Sequence, residues 1–466
     1  MKLMGIDVGT TSVKTAVFND ELEMLESSNI DYTLETHNDI VEFEAENYWE
    51  IIKTALDKPE SAVDALAIDT QCETLILTDE NGKPVRKAIV WLDNRATKEA
   101  EQIEKHFGRK KVYEITGQPE ITATWPACKL LWVKNNEPEV WAKTKKVFLL
   151  EDYLLYKLTG KFVTEKTLQS SSIYFDINKS VWWNEMLDFI GVKSEMLPEL
   201  LDSGVYIGDY NGIKVVTGAM DQVSGAIGAG VIKKGIVSEM TGTTMVIFSP
   251  SDTVPEYDEN SIIPCHYNYD GKYCLLTWSS TAGMALKWFK NALCENFSFA
   301  ELDELAKDIA PGSDGLTFLP HLCGSAMPKY NPAARGSFTG LTPEHTRGHF
   351  VRSIMEAISA VLKENLDYIA PGVTEIRAMG GGANSPLWCQ MKADMTKKTL
   401  VTLKNKETAC LGGAILAGVG TGLFKNVEDT LEKITIKDTY TPSNVDYSAA
   451  FANYQKADEI LNVREK

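Results

Sequence analysis

Leu3-Met4-Gly5-Ile6-Asp7-Val8-Gly9-Thr10-Thr11-Ser12-Val13-Lys14-Thr15-Ala16-Val17-Phe18 opens as an apolar run, turns at a Gly-Thr-Thr triplet and leaves as a second apolar run. The pattern predicts two strands joined by a tight turn, with the carboxylate of Asp7 on the first and the ammonium of Lys14 on the second. Backbone N–H groups and hydroxyls at such a glycine turn form a concave donor surface suited to phosphate oxygens. One such hairpin is ordinary. The same plan recurs at Gly242-Thr243-Thr244, between Ser238-Glu239-Met240 and Met245-Val246-Ile247-Phe248, and two copies predict a duplicated core facing a shared ligand.

Between the copies lies Val215-Val216-Thr217-Gly218-Ala219-Met220-Asp221-Gln222-Val223-Ser224-Gly225-Ala226-Ile227-Gly228. An apolar strand ends in a glycine turn, delivers Asp221, and continues as a small-residue helix in which Gly225 and Gly228 let a neighbouring backbone come close. Taken alone, an aspartate at that point reads as a helix N-cap. The two flanking hairpins favour a reading in which Asp221 does chemistry.

At 466 residues the chain is long enough for two or three domains, and the repeated turn divides it into 1-234 and 235-466. Strands alternating with helices place it in the α/β class. It contains no apolar run of about 18 residues, so no membrane partner is expected. No signal peptide is expected either, because the strand pattern starts at Met1-Lys2-Leu3. A net charge of −18 argues against a nucleic-acid backbone as partner, and an anionic nucleotide would need local cations and magnesium. None of the eight cysteines forms a C-x-x-C pair, which fits reduced core thiols in a cytoplasmic protein.

Ala65-Leu66-Ala67-Ile68-Asp69-Thr70 reads as a buried strand ending in Gln71-Cys72-Glu73-Thr74. In an extended segment Gln71 and Glu73 would face one side and could hold the hydroxyls of a small polar substrate; a solvated strand end is the plainer reading. Asn81-Gly82 predicts a hairpin between Leu75-Ile76-Leu77 and Ala88-Ile89-Val90. Thr277 to Phe289 passes from strand through Gly283 into a helix. Thr342-Pro343 predicts a helix start, with Phe350, Ile354, Ile358, Val361 and Leu362 on one face. Glu375 to Met379 is a strand running into Gly380-Gly381-Gly382-Ala383-Asn384, where glycines admit a flat ligand or a phosphate against the backbone. Ala409 to Gly418 reads as a glycine-rich buried helix.

No G-x-x-x-x-G-K-[ST] run is present, and no G-x-G-x-x-G opens a helix after the first strand. The hairpin at residues 7 to 18 instead resembles that of the actin-like ATPase superfamily. Gly336-x-Phe338-x-Gly340-Leu341, followed by His349-Phe350-x-x-Ser353-Ile354-Met355-Glu356, resembles the C-terminal signature of the FGGY carbohydrate kinases. Pro126-x-x-Lys129-Leu130-x-Trp132-Val133-x-Asn135-Asn136 is similar to their N-terminal signature. The resemblance runs from Met4 to about Leu423.

That resemblance implies two ribonuclease-H-like domains with an interdomain cleft, the first on the sugar side and the second on the nucleotide side. It implies ATP and Mg2+, a small-molecule sugar or polyol as acceptor, and a homodimer as the candidate assembly. Asp221 matches the catalytic base and Asp7 the carboxylate near magnesium. Gln71, Cys72, Glu73 and Gln222 match the acceptor side. Thr10, Thr11, Ser12, Lys14, Thr243 and Gly283 match phosphate contacts, while Gly381, Gly382 and Asn384 match adenosine contacts. Gln71-x-Glu73-Thr74 resembles glycerol and polyol kinases, which have an arginine where this chain has Cys72; a thiol lacks the bidentate donors of a guanidinium, which disfavours glycerol. The Met-His-Gly triplet of xylulokinases is missing, and Thr124 departs from the N-terminal signature. Architecture and length favour a xylulose-like ketopentose over a polyol of glycerol or erythritol type. A non-enzymatic actin-like nucleotide-binding protein is the competing class.

Overall fold

The Leu3–Val8 strand owes its near-continuous apolar run to being covered on both faces. The computed structural model describes residues 1–259 and 261–462. Two compact units emerge, the first comprising Met1–Ile232, Ser251–Cys274 and Glu407–Ile434, the second Lys233–Pro250, Leu275–Lys406 and the chain from Thr435 on.

In the first unit Leu3–Val8 pairs antiparallel with Ser12–Phe18, setting Asp7 opposite Lys14. Its other edge pairs in parallel with Ala65–Thr70, setting Asp7 beside Asp69. Ala65–Thr70 pairs in parallel with Ile213–Val216, and an isolated bridge from Thr70 to Met220 carries that contact to the residue before Asp221. The Thr408–Gly420 helix lies so close to this sheet that a Cβ on Gly5 would fall 1.7 Å from the Cys410 carbonyl oxygen. Cβ atoms on Gly228 and Gly412 would each fall 1.9 Å from a carbonyl of the facing helix. The glycines of this helix are therefore a packing requirement.

The second unit repeats the plan. Ile236–Thr241 pairs antiparallel with Met245–Ser251 and in parallel with Glu375–Met379, which pairs in parallel with Thr399–Leu403. Its core includes Ile354, Ile358, Val361 and Leu362 of the long Arg347–Ile369 helix. Phe350 of that helix lies 4.9 Å from Phe338 and 5.6 Å from Phe289, ring centre to ring centre, so the aromatic positions of the C-terminal signature serve packing.

Two local expectations are corrected. The long helix begins at Arg347 rather than Pro343, with Thr346 as its cap. The sequence holds two successive Thr-x-x-His runs; Thr342 and His345 close a separate turn, while the Thr346 N–H donates to His349 Nδ1 at 3.0 Å. In the Asn-Gly hairpin the second strand is only Ala88–Ile89, because the chain then turns toward Trp91.

Candidate functional site

Asp221 is the first residue of the Asp221–Gly228 helix. Met220, not Asp221, holds the cap position, and no side chain caps this end. Asp221 Oδ1 instead accepts the neighbouring Gln222 N–H at 2.8 Å, and the Cys72 thiol donates to the same oxygen at 3.7 Å. Burial, then the charges of Asp7 and Glu73, push this carboxyl up to about 8. A carboxyl balanced near neutrality at the head of a turn is equipped to take a proton from an alcohol.

The expectation that Gln71 and Glu73 share a face of an extended segment is overturned. The strand ends at Thr70, and Glu73 has φ of 56°, a left-handed turn that breaks any extended run from Gln71. Gln71 points into the interior and donates to the Tyr48 hydroxyl at 3.1 Å. Glu73 is held by Lys129, a signature residue with no role expected of it, whose fully buried ammonium donates to the carbonyls of Glu73 and Val90, each at 3.0 Å. Burial raises the Glu73 carboxyl and lowers the Lys129 ammonium. Ser171 was also missed; it acts on both Cys72 and Glu73, while its hydroxyl donates to the Leu168 carbonyl at 2.8 Å.

The first hairpin closes with the Gly9 N–H donating to the Ser12 carbonyl at 3.0 Å. Thr10 Oγ1 accepts the Trp91 indole N–H at 3.0 Å, and Trp91 in turn follows Val90 of the Lys129 clamp. Thr11 is exposed and Ser12 half-buried at the same turn. Lys14 pairs with Glu407 at 3.1 Å and keeps its side chain 44% exposed. Asp7 is raised first by burial, against the lowering effect of Lys14, and strand register sets it beside Asp69. Asp69 is fully buried and accepts the Ser224 hydroxyl at 3.2 Å. Its juxtaposition with Asp7 follows from strand register, which the sequence does not display.

In the second unit Thr243, Gly283, Gly381, Gly382 and Asn384 line a single cavity of about 780 Å³. That is the size of a pocket for a drug-sized ligand. Lys287, Phe299, Asp303 and Trp388 are among its other walls. The Gly283 N–H donates to the Gly242 carbonyl at 2.9 Å, and a Cβ there would fall 2.4 Å from that oxygen. A Cβ on Gly382 would fall 2.7 Å from Thr241 Cβ, whereas one on Gly381 would meet no protein atom nearer than 3.9 Å. Asn384 Oδ1 accepts the Lys406 ammonium at 2.8 Å. Beneath the glycine turn, the buried Lys392 ammonium donates to both Glu239 oxygens at 3.0 Å and to Thr241 Oγ1 at 2.8 Å.

Residues 2–229 match the N-terminal domain of the FGGY family of carbohydrate kinases, and residues 241–421 match its C-terminal domain. The chain belongs to that family. This kinase is 29% identical to a xylulose kinase of Lactococcus lactis, covering 99% of this chain and 92% of the relative. It is 28% identical to a gluconokinase of Bacillus subtilis, covering 94% and 91%. Among solved structures, a xylulose kinase from Lactobacillus acidophilus superposes with a TM-score of 0.90 at 24% identity, covering 99% and 98% of the two chains. The fold of this kinase is therefore the two-domain actin-like α/β fold, and its activity is phosphoryl transfer to a carbohydrate.

Proposed function

We propose that this kinase transfers the γ-phosphoryl group of ATP to a hydroxyl of a neutral ketopentose of xylulose type. In this reading the N-terminal half, 1-234, holds the sugar and the C-terminal half, 235-466, holds the nucleotide. The observation that carries the choice of acceptor is the charge around Asp221. Asp7 and Glu73 face it, and Asp69 lies next to Asp7. The nearby cations are committed, Lys129 to two carbonyls and Lys14 to Glu407. A sugar acid would bring its carboxylate against these acids, whereas a neutral polyhydroxy acceptor offers Asp221 and Glu73 hydroxyls to bond.

Asp221 takes the proton from the acceptor hydroxyl as that oxygen attacks the γ-phosphorus and the bond to the leaving ADP oxygen breaks. Gln71, Cys72, Glu73 and Gln222 belong to the acceptor side of this reading. Thr10, Thr11, Ser12, Lys14, Thr243 and Gly283 receive phosphate oxygens, and Gly381, Gly382 and Asn384 the adenosine. Mg2+ needs few protein ligands when triphosphate and water supply the rest. The donor set fits it: among the described residues no cluster of three or more His, Cys, Asp or Glu stands ready for a metal, but Asp7 offers a carboxyl beside the hairpin. When bound, the cation neutralises triphosphate charge.

A polyol acceptor is the second reading, favoured by Gln71, Glu73 and Thr74; Cys72 speaks against glycerol within it. A cytoplasmic setting and a homodimer go with the same proposal; no helix among the described residues is long and apolar enough to cross a membrane. ATP consumption by the purified full chain, measured with ketopentoses, polyols, gluconate or no acceptor, tests the proposal. Ketopentose-dependent turnover is expected, and turnover with gluconate alone would contradict it.

A further inference from the structure

Four residues, Thr217 to Met220, separate the Ile213–Val216 strand from Asp221, and their backbone is gripped by buried side chains from elsewhere in the first unit. The Gly218 N–H donates to Glu151 Oε1 at 3.0 Å. The Met220 N–H donates to Thr167 Oγ1 at 2.8 Å, and the Thr167 hydroxyl donates onward to Glu165 Oε1 at 2.8 Å. Glu165 Oε2 accepts the Thr167 N–H at 2.6 Å and the Ser203 hydroxyl at 3.1 Å. Glu151 and Glu165 are fully buried and Thr167 is 1% exposed. On the opposite side the turn cannot retreat, because a Cβ on Gly218 would fall 1.8 Å from the Ile68 carbonyl oxygen.

The buried N–H groups of this turn need acceptors, and side chains rather than backbone carbonyls supply them at Gly218 and Met220. Here two carboxyls are buried together, and the groups acting on Glu151 are the acids Glu165 and Asp152 and the Gly218 N–H, with no cation among them. Burying carboxyls without a counter-charge is costly, and here their hydrogen bonds run to the backbone of this turn directly and through Thr167. We propose that Glu151 and the Thr167–Glu165 pair are positioning residues that aim Asp221 by fixing the backbone of the turn carrying it. This rests on the reading of Asp221 as the base.

The test uses full-length Glu151→Leu and Thr167→Val, which remove the acceptors, beside Glu151→Gln and Thr167→Ser, which keep them. The first pair is expected to lower kcat by about tenfold or more, since small misplacements of a reacting group are expensive. The KM values for ATP and acceptor should move by less than about threefold, and Gln and Ser should restore kcat to within about threefold of the parent. In an Asp221→Asn background the Leu and Val changes should cause no further loss. Full kcat in folded Thr167→Val, or losses that add in the Asp221→Asn background, would overturn the proposal. Thr167→Val is nearly isosteric and carries the test where Glu151→Leu does not fold. Full activity of Asp221→Asn alone refutes the base assignment instead, which separates the two failures.

Discussion

The Lys129 ammonium donates to the Glu73 carbonyl at 3.0 Å and holds Glu73 at a φ of 56°, so one buried cation shapes the loop that carries Gln71, Cys72 and Glu73. Lys129→Met fills the same volume but leaves the Glu73 and Val90 carbonyls without this donor. An unpaired buried acceptor costs about 1–3 kcal/mol, so melting temperature should fall. The acceptor KM should rise by about tenfold while the ATP KM stays within about threefold. Steady-state kinetics with each substrate varied checks this.

Burial and two neighbouring acids hold the Asp221 carboxyl at about 8, and a base works when deprotonated. Acceptor kcat/KM should therefore climb as pH rises toward about 8 and flatten above it. Glu73→Gln removes one of the charges that raise Asp221, so the climb should shift to lower pH. A profile flat from pH 6 to about 8.5 would contradict the assignment.

The cavity of the second unit separates packing from ligand contact through two glycines. Gly283→Ala forces a Cβ to within 2.4 Å of the Gly242 carbonyl and should destabilise the fold. Gly381→Ala meets no protein atom nearer than 3.9 Å, so melting temperature should hardly change. A nucleotide lying against Gly381 predicts that this second variant nonetheless raises the ATP KM, by about tenfold. Calorimetry and nucleotide titration of both variants distinguish the effects.

Asp152 is buried with its carboxyl pushed by desolvation from 3.8 to about 8, its Oδ2 accepting the Leu149 N–H at 2.9 Å. Because the folded value is raised, its protonated form favours folding; that contribution is complete below about 4 and is lost as pH rises through about 8. Asp152→Asn cannot ionise. Its melting temperature relative to the parent should therefore rise between pH 5 and about 8.5, as measured by thermal unfolding in matched buffers.

The local plan was legible because strand alternation and turn residues are local. The hairpins at Gly9 and Gly242, the turn before Asp221 and the glycine-rich helix at Ala409 to Gly418 could all be read from their own residues. Pairings between distant segments could not. Asp7 meets Asp69 only through the register of two parallel strands. Lys129 lies within the N-terminal signature, but its carbonyl partners are remote in sequence. Glu73 reads as strand until its positive φ is seen, and the start at Arg347 was hidden because Thr342 and Thr346 both offer cap chemistry.

The most direct measurement is acceptor-dependent ATP turnover by Asp221→Asn, compared with the parent at pH 8 and with nucleotide binding followed in parallel. Nucleotide affinity is expected to be unaltered and the rate lower by about 10²–10⁴, the usual worth of a positioned base. Turnover at the parental rate would show that another group takes the proton.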